Sequence, residues 1–253
     1  MFFAEWLVEA YYLRMFLQLS HIPHYTTLQK FSSRINGTLL ERIISSFVLL
    51  ISSIRRRLLF IGIDSTGFKI THASQYYYTE RTEARRKYAK LSIGADVLQQ
   101  IICTIKIRRA PTSHDDNVDF KPIITRISEI LPLSVVVAAD KGYDSEDNHR
   151  LVRESLHALS VIPARYEYVP IWRTHDKYGK YRKQMKRGYS RLLYNQRNKD
   201  ETIISVIKRL FGQHITSRLV RTQNRELSFR CIAYNTHRLT NLTRITWFLQ
   251  SPV

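Results

Sequence analysis

Cysteine is almost missing from this 253-residue chain: Cys103 and Cys231 are the only two. Both sit in apolar surroundings without a CxxC partner, which argues against a disulfide framework and a zinc site and suits an intracellular setting. Long apolar runs are missing too. The stretch "IISSFVLLISSI" (Ile43–Ile54) is too short to span a bilayer and runs into Arg55–Arg57. The opening "MFFAEWLVEAYYLRMFLQL" carries Glu5, Glu9 and Arg14 and has no positive leading region, so it does not read as a signal peptide. No repeat or low-complexity tract occurs, and a hydrophobic share of 44% is that of a folded protein, not a disordered one.

Acids are scarce as well. Asp and Glu number 21 against 40 Lys and Arg, giving a net charge of +19. The excess is spread along the chain, and a field of that size draws polyanions. Nucleic acid is the partner this favours; an anionic membrane surface, or a merely basic soluble protein, are the other readings. The length leaves room for one domain of moderate size and a small accessory region.

Residues 1–54 read as helical. After Pro23, "HYTTLQKFSSRI" sets Leu28, Phe31 and Ile35 on one stripe, with Thr26 or Thr27 as its cap. The other face shows Gln29, Lys30, Ser33 and Arg34, a set that suits a helix laid on DNA or a face in water. The middle of the chain changes character. "LLFIGIDSTGFKI" (Leu58–Ile70) is a strand-type run that breaks at Asp64, and "KLSIGADVLQQIICTIKI" (Lys90–Ile107) reads as two strands or a hairpin. "DNVDFKPIITRISEIL" (Asp116–Leu131) has helical spacing. "LSVVVAADKGYDS" (Leu133–Ser145) is a β-branched run ending at Asp140, and the helix "SEDNHRLVRESLHAL" follows. That order predicts an α/β core with a mixed sheet. From about 163 to 193 regularity fades into a segment rich in Tyr, Lys and Arg. It is either a solvated loop or a surface where cations hold phosphates and aromatics stack on bases. A basic amphipathic segment from about Asn224 to Trp247 closes the chain.

Asp64 and Asp140 share a setting: each follows an apolar run ("FIGI", "VVVAA") and precedes turn-type residues. Ligands bind at the carboxyl ends of strands in α/β sheets, although a lone Asp there is ordinarily a turn former. A third carboxylate from a nearby helix would complete a hard oxygen site for Mg²⁺ or Mn²⁺. The helix in question is "YNQRNKDETIISVIKRLF" (Tyr194–Phe211). At about 100° per residue, with Tyr194 at zero, Arg197 falls near 300°, Glu201 near 340° and Lys208 near 320°. The four share one stripe if the helix extends back that far. Ile203, Val206, Ile207 and Leu210 lie at roughly 120–220°. Asp200, near 240°, is close to the apolar side and reads as an N-cap or first-turn acid. Glu201 is the candidate ligand. No Ser-His-Asp set is present as an alternative chemistry.

Asp64, Asp140 and Glu201, with the pattern Tyr194-x2-Arg197-x3-Glu201-x6-Lys208, resemble the catalytic set of DDE transposases of the insertion-sequence four/five group. "DST" (Asp64–Thr66), "SHDD" (Ser113–Asp116) and "DKGYDS" (Asp140–Ser145) stand in family-like places, and the resemblance covers roughly residues 58–240. It implies a ribonuclease-H-like fold: a mixed five-stranded sheet flanked by helices, with the first Asp on the first strand, the second at the end of the fourth and the Glu on a following helix. The implied domains are a helical DNA-end-binding region at 1–56, a catalytic domain at 57–240 with a basic insertion at about 163–193, and a C-terminal tail at 241–253. The insertion is small for the group, since about 60 residues separate Asp140 from Glu201.

The implied activity is DNA transposition. Asp64, Asp140 and Glu201 would hold two Mg²⁺ or Mn²⁺ ions for strand cleavage and strand transfer. Tyr194, Arg197 and Lys208, with Lys30 and Arg34 on the N-terminal helix, would contact DNA. His114 and Asp115 either approach the site or turn a loop. The implied partners are the element's terminal inverted repeats and target DNA, held by a homodimer, with no membrane and a cytoplasmic, nucleoid-associated location. A descendant that binds DNA but no longer cuts, and a metal-dependent nuclease without strand transfer, are the competing readings.

Overall fold

The computed structural model describes residues 15, 18–54, 60–70, 88–109, 115–130, 136–165, 168–170 and 179–250, with backbone alone at 53–54 and 243–250. Two helices come first, α1 (Tyr25–Arg34) and α2 (Gly37–Ile54). Three strands follow: β1 (Phe60–Ile70), β2 (Tyr88–Asp96) and β3 (Ile101–Arg109). Then come α3 (Asn117–Ile130), β4 (Val136–Ala139), α4 (Glu146–Arg150) widening into a π turn (Leu151–Ser155), and β5 (Leu159–Val161). The chain closes with α5 (Lys180–Arg187), α6 (Arg191–Asn195), α7 (Asn198–Phe211), β6 (His214–Ile215) and α8 (Val220–Gln250).

The strands assemble in the order β3-β2-β1-β4-β5, with β6 paired to the far end of β1. β2 runs antiparallel to both neighbours, while β1, β4 and β5 are parallel. This is the mixed, helix-flanked sheet of a ribonuclease-H-like fold. The expected hairpin at Lys90–Ile107 is β2 and β3, and the expected helix at Asp116–Leu131 is α3. Period-two alternation explains β2: Ala89, Leu91, Ile93 and Ala95 are buried towards α7 and α8. Lys90 and Ser92 take the other face, where acids from α3 and the loop before it meet them.

Helices cover both faces. Ile61, Ile63, Val137 and Ala139 pack with Val48, Phe120, Ile123 and Ile127 on one side. Ile203, Ile204, Ile207, Leu227 and Cys231 pack on Phe68, Leu91 and Ile93 on the other. Each fully buried Val, Leu, Ile or Phe among these contributes roughly 1.5–3 kcal/mol by leaving water. α8 also covers the β3 edge: the Asn235 amide accepts from Ile102 N at 2.9 Å and donates to Ile102 O at 2.8 Å, satisfying a β3 backbone pair that meets no further strand among the described residues. Both cysteines are buried and free.

Several expectations change. β1 does not break at Asp64. It continues against β2 from Ser65↔Ser92 to Lys69↔Tyr88, because the antiparallel ladder outlasts the four-residue β4. The cap of α1 is His24, whose ring accepts from Thr26 N, and not a threonine. α1 buries none of its residues, and Phe31 of its apolar stripe is exposed. The basic stretch is not irregular throughout, since α5 forms inside it; its residues 166–167 and 171–178 lie outside the described residues. α8 passes without interruption through residue 240, where the sequence reading ended the catalytic domain. The N-terminal stretch judged not to be a signal peptide lies outside the described residues apart from Met15, Gln18 and Leu19. Among the described residues no single helix is long and apolar enough to cross a membrane; α1 and α2 reach that length only as a pair bent by 90°.

One glycine sets how closely α7 approaches the sheet. A Cβ placed on Gly62 of β1 would fall 1.7 Å from Asp200 Oδ2. Gly62→Ala is therefore expected to destabilise the protein by about 1–3 kcal/mol through overpacking. Combining it with Asp200→Ala should recover most of that loss in urea unfolding, and no recovery would place the strain elsewhere.

Candidate active site

Pairing of β1 with β4 ends at Ile63↔Ala139, so the next residues, Asp64 and Asp140, stand on neighbouring parallel strands. Side chains alternate along a strand, so Asp64 shares the face of Gly62 and projects towards α7. Asp64 Oδ1 accepts from Ser65 N at 2.9 Å. Asp140 caps a short 3₁₀ turn, Lys141–Tyr143, accepting from Lys141 N at 2.7 Å. Each carboxylate thus has one oxygen steadied by the adjacent backbone.

The third acid comes from α7, which starts later than the stripe geometry assumed. Tyr194 belongs to the separate helix α6, and Arg197 is the N-cap of α7. The Tyr194 hydroxyl nevertheless donates to Asp140 Oδ1 at 3.4 Å, and the Arg197 guanidinium lies over the Tyr194 ring at 5.5 Å. Arg197 Nη2 donates to Glu201 Oε1 at 2.8 Å, and Nη1 stands 3.9 Å from Asp64 Oδ1. Tyr194 and Arg197 therefore join all three expected acids. Expected as an outward phosphate contact, Arg197 is instead buried among these carboxylates. Burial lowers its proton affinity, but Tyr194, Asp64, Asp140 and Glu201 more than offset that.

Asp64, Glu201 and Lys208 line a cleft of about 430 Å³ together with Thr66, Ser205 and Arg209. Lys208 packs over the Phe68 ring at 5.6 Å. The two neighbouring acids of α7 have separate fates. Glu201 is 57% exposed on its side chain, whereas Asp200 is fully buried over Gly62 with neither carboxylate oxygen hydrogen-bonded. Asp200 is a first-turn acid, as its position suggested, but it points into the core and does not cap the helix.

Burial pushes Asp64 up to about 6, helped by the charges of Glu201 and Asp140 and opposed by the Ser65 N–H and Arg197. Burial also holds Asp200 well above the carboxylate range, with Asp64 adding to the effect and Arg197 opposing it. In metal-free protein, such acids keep protons that the unfolded chain has released. Their stabilisation is complete below the unfolded value near 3.8 and is lost as pH rises through the folded one. His149, lowered by burial to about 4, and Glu226 act in the opposite sense, so the readout is a difference between variants. Asp200→Asn should gain stability relative to the parent as pH rises from about 4 to 8 in urea titrations. A pH-independent difference would contradict this assignment.

Carboxylate oxygens are the donor type that Mg²⁺ and Mn²⁺ take. Among the described residues, no three His, Cys, Asp or Glu side chains are gathered closely enough to hold an ion. The reason is visible: Glu201 is turned to Arg197, whose guanidinium supplies the positive charge among the acids.

The remaining expected residues lie elsewhere. Lys30 and Arg34 are exposed on α1, and Lys30 lines a second, larger cleft of about 1220 Å³ shared with Arg218, Leu219 and Phe229. Asp115 accepts from Asn117 N at 3.0 Å, a loop-turning role, and His114 lies outside the described residues. Two polar clusters escaped the sequence reading. Lys90, Ser92 and Arg108 of the sheet hold Asp116 and Asp119. Asp144 holds Arg182 of the basic stretch by two hydrogen bonds, so this cation is not available to a phosphate. A lysine and a serine at alternate positions of an otherwise apolar strand were the available signal for the first; the second pairs residues too distant in sequence to signal anything.

No curated protein matches the sequence. Similar solved structures include a piggyBac transposase synaptic complex with hairpin DNA, at 10% identity over 74% of this chain and 48% of that one, TM-score 0.40. The chain thus spans about half the length of that protein. The Mos1 transposase paired-end complex with left transposon end is 12% identical over 80% of this chain and 63% of that one, TM-score 0.30. The catalytic domain of Mos1 mariner transposase is 12% identical over 80% and 96%, TM-score 0.30. The family "Transposase DDE domain" matches residues 56–236, which span the whole sheet, both aspartates and α7. This chain belongs to the DDE transposase family.

Proposed function

We propose that this protein binds the ends of an insertion sequence of the four/five group and catalyses metal-dependent DNA strand cleavage and strand transfer. Asp64, Asp140 and Glu201 are the ligands of two Mg²⁺ or Mn²⁺ ions in this reading. The observation that carries it is the β1–β4 register, which sets Asp64 beside Asp140 under the helix that bears Glu201. Divalent ions at such a site lower the proton affinity of the attacking oxygen and neutralise charge at the leaving one.

The chain's own residues do the positioning. Tyr194 orients Asp140, and Arg197 keeps the acids neutralised while Glu201 swings from the guanidinium to the aspartates. Lys208 and Arg209, on the cleft that Asp64 and Glu201 line, grip the flanking phosphates. Cleavage uses water as nucleophile and strand transfer a DNA 3′-hydroxyl, each an in-line displacement without a covalent enzyme intermediate. Lys30 and Arg34 of α1 hold the terminal inverted repeat, and two copies of the chain bring two ends together with target DNA.

The test is cleavage of a supercoiled donor carrying the element's ends. Nicking that needs Mg²⁺ or Mn²⁺ and yields joined donor–target products supports the reading. Nicking without joined products indicates a nuclease. The Arg197–Glu201 contact favours a second reading, a DNA-binding descendant that no longer cuts, which predicts a gel shift without nicking in either metal. Phosphate contacts also make affinity salt-dependent. Lys30→Ala with Arg34→Ala should flatten the log affinity–log salt slope by about 2. An unchanged slope would remove α1 from the DNA interface.

A further inference from the structure

Behind the two aspartates, on the opposite face of β1, stands a carboxylate that belongs to neither strand. Ser65, the residue after Asp64, donates its hydroxyl to Asp116 Oδ1 at 3.1 Å. The same oxygen is ion-paired to Lys90, whose side chain is almost fully buried on β2. The other oxygen of Asp116 lies close against the turn that follows Asp140: a Cβ placed on Gly142 would fall 2.7 Å from Asp116 Oδ2, so only glycine leaves room for it there. One carboxylate therefore touches the backbone neighbourhood of both catalytic aspartates.

Its own position is fixed, although its side chain is only partly buried. Asp119, three residues on and fully buried, accepts from Ser92 Oγ at 2.6 Å and pairs with Arg108 Nε at 2.8 Å, and its N–H donates to Asp116 O at 3.0 Å. Asn117 adds a second tie to the same turn, its Oδ1 accepting from Asn148 Nδ2, which in turn donates to Tyr143 O at 2.8 Å. Buried charges are retained when they are paired and hydrogen-bonded. Here the paired charge lies where β1 projects past β4 and no backbone ladder joins the two aspartate-bearing ends.

We infer that Asp116 is a positioning residue that holds the Asp64 and Asp140 ends at fixed separation, through Ser65 on one side and Gly142 on the other. The inference rests on the proposed site, but its physical claim, the coupling of two segments, is measurable without turnover. Groups that orient metal ligands from behind typically change metal affinity or rate by about 10- to 100-fold when removed.

The experiment is hydrogen exchange on the full chain, without metal, for the parent, Asp116→Asn and Ser65→Ala, with Mn²⁺ binding followed by paramagnetic resonance. Asp116→Asn is expected to speed exchange at both 63–66 and 140–143 by about tenfold or more while the β2 and β3 core amides stay protected. Mn²⁺ affinity should fall in step, and Ser65→Thr, which keeps the hydroxyl, should restore what Ser65→Ala loses. Faster exchange confined to 115–119, with 63–66 and 140–143 unchanged, would overturn the positioning role. A parent that binds no Mn²⁺ would instead sink the proposed metal site, leaving the exchange result to decide on Asp116 separately. Should Asp116→Asn fail to fold, Ser65→Ala and its threonine rescue carry the test, because they remove one hydroxyl and no charge.

Discussion

Glu201→Gln should leave the fold intact and reduce metal-dependent cleavage by roughly 10³-fold, while Asp200→Asn cleaves at close to the parent rate. The two acids are adjacent and chemically alike, so the contrast follows from environment alone. Glu201 projects from α7 into the cleft that Asp64 lines, is more than half exposed and is held by one arginine hydrogen bond; in the proposed reading it exchanges that bond for a cation. Its exposure means that an amide in its place costs little stability. Asp200 is sealed beneath α7 against Gly62 and pushed towards its neutral form by burial, so an amide of nearly the same shape alters little in the site. Single-turnover cleavage with Mn²⁺ separates the cases. A dead Asp200→Asn beside an active Glu201→Gln would reverse the assignment.

The second large effect concerns the fold around Asp140. Asp144→Ala should destabilise the protein by about 3–5 kcal/mol, the loss typical of breaking a buried ion pair from one side. The Asp144 side chain has no exposure and takes three hydrogen bonds: Arg182 Nε at 2.8 Å, Arg182 Nη2 at 2.5 Å and Arg165 N at 2.9 Å. Two residues on, Glu146 accepts from Tyr181 N and Arg182 N, so it serves the first turn of α5. These contacts pin the basic stretch to the turn after the second aspartate. Asp144→Ala with Arg182→Ala should be less destabilised than the sum of the single changes, because the orphaned charge is gone. Additive losses in thermal unfolding would show that the pair is not coupled.

The placing of Asp64 and Asp140 just past the β1–β4 pairing was legible because each follows an apolar run, and the cleft-lining side of α7 because the spacing of Glu201 and Lys208 marks one helical face. The same reasoning separated Asp200 from Glu201 through its angle beside Ile203 and Ile207. Length of secondary structure was harder to read. β1 outruns Asp64 because β2 pairs with it beyond the end of β4, and a ladder between distant segments leaves no mark within either one. Tyr194 fell on a separate helix because the chain tightens at Gln196 and Arg197, where backbone bonds run to the third residue back. Arg197 read as a phosphate contact because charge alone cannot say which way a guanidinium turns. Here four nearby groups turn it inward. Asp116 stood in a quoted motif, yet its work depends on Lys90 and Gly142, which only the folded sheet brings to it.

The most direct test of the central claim is a manganese-soaked crystal of the protein bound to an element end, read by anomalous scattering. The account predicts manganese peaks contacting Asp64 and Asp140, with Glu201 released from Arg197 and turned onto the metal. Manganese held by Asp200, or a site with no peak and Glu201 still on Arg197, would contradict it.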